Sequence, residues 1–312
     1  MRGAGIVTVA DRLIEVELLP DVGARMHRLR VLGHDLLRTP DDASAYARDP
    51  FRWGAYIMAP WCNRIDAAPT VVDDQLVALA PNFEDGTAIH GQVHSARWEQ
   101  HGDADLRVQG GGDGWPWRYE CGMRMAVIDT TLMIEQTLTN LAETRMPGGI
   151  GLHPWFRRPL ELGVDAQHVL AANSDPICQV APVAGSLDLR SARRVPADLD
   201  ATWLDPGDPA VELRWPGIDI AASLRARSSV GTCIVVASPA RLDAVAVEPQ
   251  THAPHGLRRL LRGEPGAMSW IEPGHSIRLE IELVFALAEP VPGALASKRS
   301  ASTAGRTTPG SA

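Results

Sequence analysis

Residues 276–284, SIRLEIELV, place Ile277, Leu279, Ile281 and Leu283 at every second position, with Arg278, Glu280 and Glu282 between them. A helix would scatter those four apolar side chains around its circumference; an extended strand gathers them on one face. Similar short segments recur along the chain. Residues 6–10 and 13–19 flank Asp11-Arg12 and read as a hairpin, as do 121–128 and 131–139 around Asp129-Thr130. Further strands are expected at 211–214, 218–225, 232–237 and 244–247, with turns at Asp85-Gly86, Pro206-Gly207, Pro216-Gly217 and Pro273-Gly274. Helical patterning is confined to 41–48 and 256–261. Many closely spaced strands with few short helices predict an all-β chain, a large antiparallel β-sandwich.

All-β units of about 200–250 residues are common, so a chain of this length is as open to one large domain with a tail as to two domains; one domain over residues 1–287 is the expectation carried forward. From Ala288 the chain reads AEPVPGALASKRSASTAGRTTPGSA, too poor in large apolar residues to bury a core, and residues 288–312 are expected to be a disordered tail. The formal charge of −8, spread without long runs, disfavours nucleic acid and anionic membrane as partners. Asp11, Arg12, Glu15 and Glu17 interrupt any apolar run near the N-terminus, which therefore reads as neither signal peptide nor membrane span. Cys62, Cys121, Cys178 and Cys233 show no C-x-x-C spacing and are expected to be reduced and buried, in a cytoplasmic protein. The only lysine is Lys298, in the low-complexity stretch, which removes Schiff-base chemistry and P-loop phosphate binding. Tryptophan outnumbers tyrosine nine to three, and several tryptophans beside polar residues could line a ligand site.

Four tracts concentrate titratable or forked donor groups among Pro, Gly and aromatic residues: MAPWCNRI (58–65), IHGQVHSARW (89–98), GIGLHPWF (149–156) and VAVEPQTHAP (245–254). Glu248 stands at the end of an apolar strand before Pro249, a partly desolvated carboxylate on a stiffened backbone. The same placement suits a surface salt-bridge partner. His153 follows a Gly-rich turn and precedes Pro154, which also suits a satisfied loop histidine. Asn63-Arg64 offers an amide and a guanidinium fork able to clamp vicinal hydroxyls, but a lone dipeptide is uninformative. His90 and His94 have the helical spacing of a zinc site. The glutamate of H-E-x-x-H is missing, and Gly91 and Val93 argue against a helix there, as Ala253-Pro254 does between His252 and His255. No metal is expected.

Together, in this order, the tracts resemble the aldose 1-epimerase (galactose mutarotase) family. MAPWCNRI is similar to its segment ending in Asn-Arg, and IHGQVHSARW to its His-Gly tract closing on Trp. GIGLHPWF is similar to its Gly-x-x-His-Pro-Tyr-Phe tract, VAVEPQTHAP to its strand ending in Glu-Pro, and IEPGHSIRLEIELVF to its closing Pro-Gly strand. The resemblance covers about residues 5–287 and implies the galactose mutarotase-like supersandwich. It also implies an isomerase of carbohydrate metabolism that interconverts the α and β anomers of a free aldose without cofactor, as a monomer or homodimer. In that reaction a base removes the anomeric hydroxyl proton while an acid protonates the ring oxygen; the freed carbonyl group rotates and the ring closes on its other face. Such chemistry needs two groups of differing protonation, expected on opposite sides of the ring, and donors that fix the pose. Glu and His, with reference pKa values of about 4.3 and 6.5, suit it. By resemblance Glu248 is the base and His153 the acid, while His90 and Arg64 hydrogen-bond the sugar, with Asn63 beside them. Asp200 or Asp205 supplies the aspartate that grips hydroxyls.

Trp155 stands where the family more often has Tyr, removing a hydroxyl and widening an apolar wall of the sugar site. His94 occupies a position where arginine is frequent. Arg97, Arg157 and Arg158 lie near the tracts and could meet a phosphorylated or acidic sugar, although surface arginines are expected in a chain with one lysine. Two alternatives therefore stand beside the leading reading: an epimerase of a sugar phosphate or other acidic sugar, and a sugar-binding protein that kept the fold without catalysis.

Overall fold

The computed structural model describes residues 5–42 and 44–287. Within Ser276–Leu287 the alternating side chains Ile277, Leu279, Ile281 and Leu283 all turn inward and are buried. The same two-residue period builds two large antiparallel sheets. The first has eleven strands. Along it lie Val7–Ala10, Ile14–Leu19, Arg25–Val31, Ala55–Met58, Gly151–Arg157, Ala244–Gln250, Cys233–Ala237, Asp200–Leu204, His168–Leu170 and Val180–Pro182, with His34–Asp35 paired to the third. The second has nine, running Glu99–Gln100, Asp105–Gly112, Trp115–Ile128, Thr131–Asn140, Ser276–Leu287, Ile220–Ser228, Val211–Trp215, Glu161–Val164 and Arg193–Arg194. One continuous apolar cluster takes residues from both sheets, Ile57, Leu152 and Val247 from the first and Leu132, Leu224 and Leu279 from the second, so the sheets form a sandwich.

Both expected hairpins are present. Val7–Ala10 pairs with Ile14–Leu19, and Trp115–Ile128 with Thr131–Asn140. The expected strand at 218–225 begins later, at Ile220, because Ile218 and Asp219 are spent on the turn; Asp219 has φ 52°. The helices among the described residues are short, Ala45–Arg48 and Gly256–Arg262. No helix of the described residues is long and apolar enough to cross a membrane. The tail expected at 288–312 lies outside the described residues. Cys62, Cys121 and Cys233 are buried free thiols, but Cys178 is only partly covered, contrary to expectation.

Ala244–Gln250 lies in the middle of the eleven-stranded sheet and is buried on both faces. Val245 and Val247 join the main core, while Ala244 and Ala246 face the other way with Tyr56, Met58, Cys62 and Trp155. The run AVAV is thus two patterns interleaved. Valines fill the sandwich, and small alanines leave room on the opposite face, where a cleft opens.

Candidate active site

The cleft has a volume of about 490 Å³, within the range of small-molecule sites. Its floor comes from neighbouring strands: Tyr56 on Ala55–Met58, His153 and Trp155 on Gly151–Arg157, Glu248 on Ala244–Gln250, and Asp200 on Asp200–Leu204. The pairing of Gly151 with Gln250 and of Trp155 with Ala246 sets position 153 against 248. His153 Nε2 lies 3.2 Å from Glu248 Oε1. Between those two pairs the strands carry Pro154 and Pro249, which have no N–H for a ladder. His153 is therefore not a loop histidine, and Glu248 does not end its strand, which runs on to Gln250. The two groups are adjacent on one wall.

Both side chains are almost wholly buried, His153 at 4% and Glu248 at 1% exposure. Burial pushes the imidazole down to about 3, and the Arg25 guanidinium adds to that push. Burial, reinforced by the Asp200 carboxylate, raises Glu248 well above the usual carboxylate range, against the pull of Arg64. Both shifts run the same way: burial favours the uncharged form of the pair, neutral imidazole with carboxylic acid. Glu248 Oε2 is buried and has no protein hydrogen-bond partner, which leaves it for a ligand.

The tracts 58–65 and 89–98 are laced together above this floor. Arg64 pairs with Ile89, the His90 N–H donates to Asn63 O, and the Gln92 N–H donates to Ala59 O. Gly91 makes the approach possible: at φ 72° a Cβ there would sit 2.0 Å from Ala59 O. Asn63 and His90 both take left-handed backbone conformations, φ 52° and 62°. The Asn63 N–H donates to His90 Nδ1 at 3.2 Å, so the proton of the neutral ring is on Nε2, and that nitrogen can only donate. Burial, with His153, His94 and Arg64 nearby, holds His90 well below its ordinary pKa and keeps it neutral. Arg64 is fixed by Asp85 (Nε to Oδ2, 2.7 Å) and by the Asn63 side-chain oxygen at 3.1 Å.

Asp200 lines the cleft, where Asn173 Nδ2 donates to its Oδ1 at 2.6 Å and Thr202 in turn donates to Asn173. Burial raises its pKa, opposed by Arg64 and by that amide. Asp205, the other candidate, is absent from the cleft lining. Trp155 presents only its ring, because its N–H donates to Phe51 O at 2.6 Å. Arg97, Arg157 and Arg158 do not line the cleft. Arg97 is exposed and pairs with Asp21, Arg157 Nε donates to Leu37 O, and Arg158 Nη2 donates to Ser238 O. His94 is also outside the cleft, its ring against Phe51 and Tyr56. Most tryptophans are core; Trp155 is the one that lines the site.

The sequence reading missed Tyr56, whose ring stacks on His153 at 4.5 Å, and the rim formed by Phe51, Arg52, Phe83, Asp198, Arg241 and Leu242. Tyr56 is two residues before Met58 and shares its face, a parity signal that gains meaning only once the neighbouring strand is known.

The sequence profile of the family described as aldose 1-epimerase matches residues 7–253. The chain belongs to the aldose 1-epimerase family. Solved structures agree on the fold. A galactose mutarotase-like protein from Clostridium acetobutylicum superposes with a TM-score of 0.77 at 15% identity, over 90% of this chain and 94% of its own. A protein from Synechocystis sp. PCC 6803 gives 0.72 at 21% identity, over 91% and 96%. The galactose 1-epimerase of Lactobacillus acidophilus gives 0.70 at 14%, over 90% and 94%. No protein of curated function matches the sequence. The supersandwich expected of an aldose 1-epimerase family member is thus the fold found.

Proposed function

We propose that the protein is an aldose 1-epimerase that opens and recloses a free sugar through Glu248 and His153. The observation that carries this reading is the buried contact of 3.2 Å between those side chains in the cleft lining, with Glu248 Oε2 left without a protein partner. The anomeric hydroxyl oxygen and the ring oxygen are bonded to the same carbon, so an adjacent acid and base can reach both. In opening, Glu248 takes the hydroxyl proton and His153 gives one to the ring oxygen as the bond from that oxygen to the anomeric carbon breaks and the carbonyl forms. Reclosure on the other face returns both protons. The ionic form this requires holds the same number of protons as the resting pair, and sugar hydroxyls donating to Glu248 Oε2 favour it. His90 Nε2–H, Arg64, Asn63 and Asp200 fix the hydroxyls, and the Trp155 ring packs against the sugar's apolar face.

Anomer-exchange NMR on neutral aldoses and their 6-phosphates tests the reading. Glu248→Gln and His153→Asn should each lower turnover about 10²–10⁴-fold, the usual contribution of a general acid or base, with the fold intact. Turnover near wild type in either variant would remove the assignment. One observation speaks for an acidic sugar: Arg52 and Arg241 line the rim. Both lie within ion-pair distance of Glu84, at 2.7 and 4.0 Å, so their charge is already engaged. Exchange restricted to the 6-phosphates, and suppressed by salt, would favour that substrate class.

A further inference from the structure

A buried cation lies behind His153, and nothing in the acid–base pair accounts for it. Arg25 opens the strand Arg25–Val31 and has no measurable exposure. Its guanidinium donates to three carbonyl oxygens: Nη1 to Trp53 at 2.7 Å, and Nη2 to Pro50 at 2.8 Å and to His94 at 3.1 Å. Its Cζ sits 4.7 Å from the ring centres of both Tyr46 and Tyr56. Tyr56 is in turn stacked on His153, with centroids 4.5 Å apart and planes 21° from parallel. A ring has two faces, and groups packed at 4.7 and 4.5 Å cannot share one. Arg25, Tyr56 and His153 therefore form a column, cation, phenol, imidazole, with Glu248 beside its top.

Burying a guanidinium against carbonyls and rings carries a desolvation cost, only partly offset by its hydrogen bonds and cation–π contacts. Simple core filling does not need a charge there. We propose that Arg25 and Tyr56 are positioning residues for His153: Tyr56 holds the imidazole plane toward Glu248, and Arg25 holds Tyr56 while tying it to the segments around Phe51 and His94. Those carbonyls belong to the stretch that carries the rim residues Phe51 and Arg52 and to the tract that carries His90. One buried side chain thus sets the acid–base pair and two sides of the cleft in register. A cation beneath the column also disfavours a second cation above it. His153 is faced by Glu248 from one neighbouring strand, Tyr56 from the other, and His90 from its turn, with Arg25 beyond Tyr56. Arg64 and Asp200 act on Glu248. Of these, Arg25 lowers the His153 pKa further after burial has done most of the work.

The catalytic meaning of this column rests on the epimerase reading, but its physical content does not. The test is ¹⁵N NMR of the His153 ring in the sugar-free protein, giving tautomer and titration, alongside anomer-exchange kinetics. Tyr56→Leu should free the ring, change its tautomer populations and lower kcat by up to about 100-fold, the effect of a small misplacement, with KM little moved. Tyr56→Phe, which keeps the ring, should restore most of that loss. Arg25→Met should raise the His153 pKa, and Arg25→Lys, which keeps charge but not the fork, should leave the titration low while lowering kcat. If Arg25→Met fails to fold, Tyr56→Leu decides, because it leaves Arg25 in place. Wild-type tautomer, titration and kcat in Tyr56→Leu would overturn the proposal. A changed ring signal in a protein whose wild type exchanges no sugar would leave the column standing and remove the epimerase reading instead.

Discussion

On the proposed reading Asp200 is a binding carboxylate, and a single amide tunes it. Its burial works against ionisation, and Asn173, itself buried, donates to it at 2.6 Å and favours the charged form. A hydrogen bond to a charged group contributes about 1.5–3 kcal/mol. Asn173→Ala should therefore push Asp200 further up, loosen its hold on sugar hydroxyls and raise KM roughly tenfold, with kcat nearly unchanged, as expected when ground and transition states lose the same contact. Steady-state anomer exchange separates the two parameters; a loss confined to kcat would contradict the binding role. The candidates Glu248, His153, His90, Arg64 and Asn63 could be named from the sequence because each lies inside a compact tract. Asn173 could not. It is a lone amide in a loop, and its value comes from a strand 27 residues later.

At the scale of elements, the strand at 276–284 was readable because its alternation records a wet and a buried face, whereas Arg25–Val31 and Asp105–Gly112 were not foreseen. Ala244–Gln250 was harder. Both its faces are buried, and the apolar run stops at Glu248 although the strand continues through a buried carboxylate and a proline. Which strands neighbour one another leaves no trace in local pattern, so Tyr56 and Arg25 could not be linked to His153. The bond between tracts 58–65 and 89–98 depends on the bare backbone at Gly91. Gly91→Ala would press a methyl into the Ala59 carbonyl at a φ that side chains avoid, and overpacking of this kind costs about 1–3 kcal/mol. A lower urea midpoint, with reduced turnover as His90 shifts, is the expected outcome. An unchanged midpoint would mean that the two tracts are not held at this point.

For the whole molecule, the buried histidines make acid a stress. Burial lowers His94 and His252 to about 4, and the unfolded chain takes up those protons below about 6.5. Between these values the unfolded state binds more protons than the folded one, so stability falls as pH falls, by about 1.4 kcal/mol per pH unit for each such group. His90 and His153, also held low by burial, act in the same direction. Glu248 and Asp200 act oppositely, since a raised carboxylate pKa makes the folded state the better proton binder, and Glu248 largely offsets His153. Stability, read as melting temperature, should accordingly drop from pH 6.5 to 4.5 with a slope of about two to three protons. A flat profile would show that these rings are protonated in the folded state.

The cleft also separates two kinds of residue by where they are anchored. His153, Glu248 and Tyr56 sit on central strands whose far faces are the sandwich core, so changing their backbone disturbs the whole fold. Phe51, Arg52, Phe83, Arg241 and Leu242 reach the same cavity from connecting segments. On the proposed epimerase reading, substrate preference and chemistry would therefore be inherited separately in this scaffold. A library varied only at those rim positions can be searched for new sugars while the floor is left as it is, and descendants of such a chain can diverge in diet without relearning the reaction.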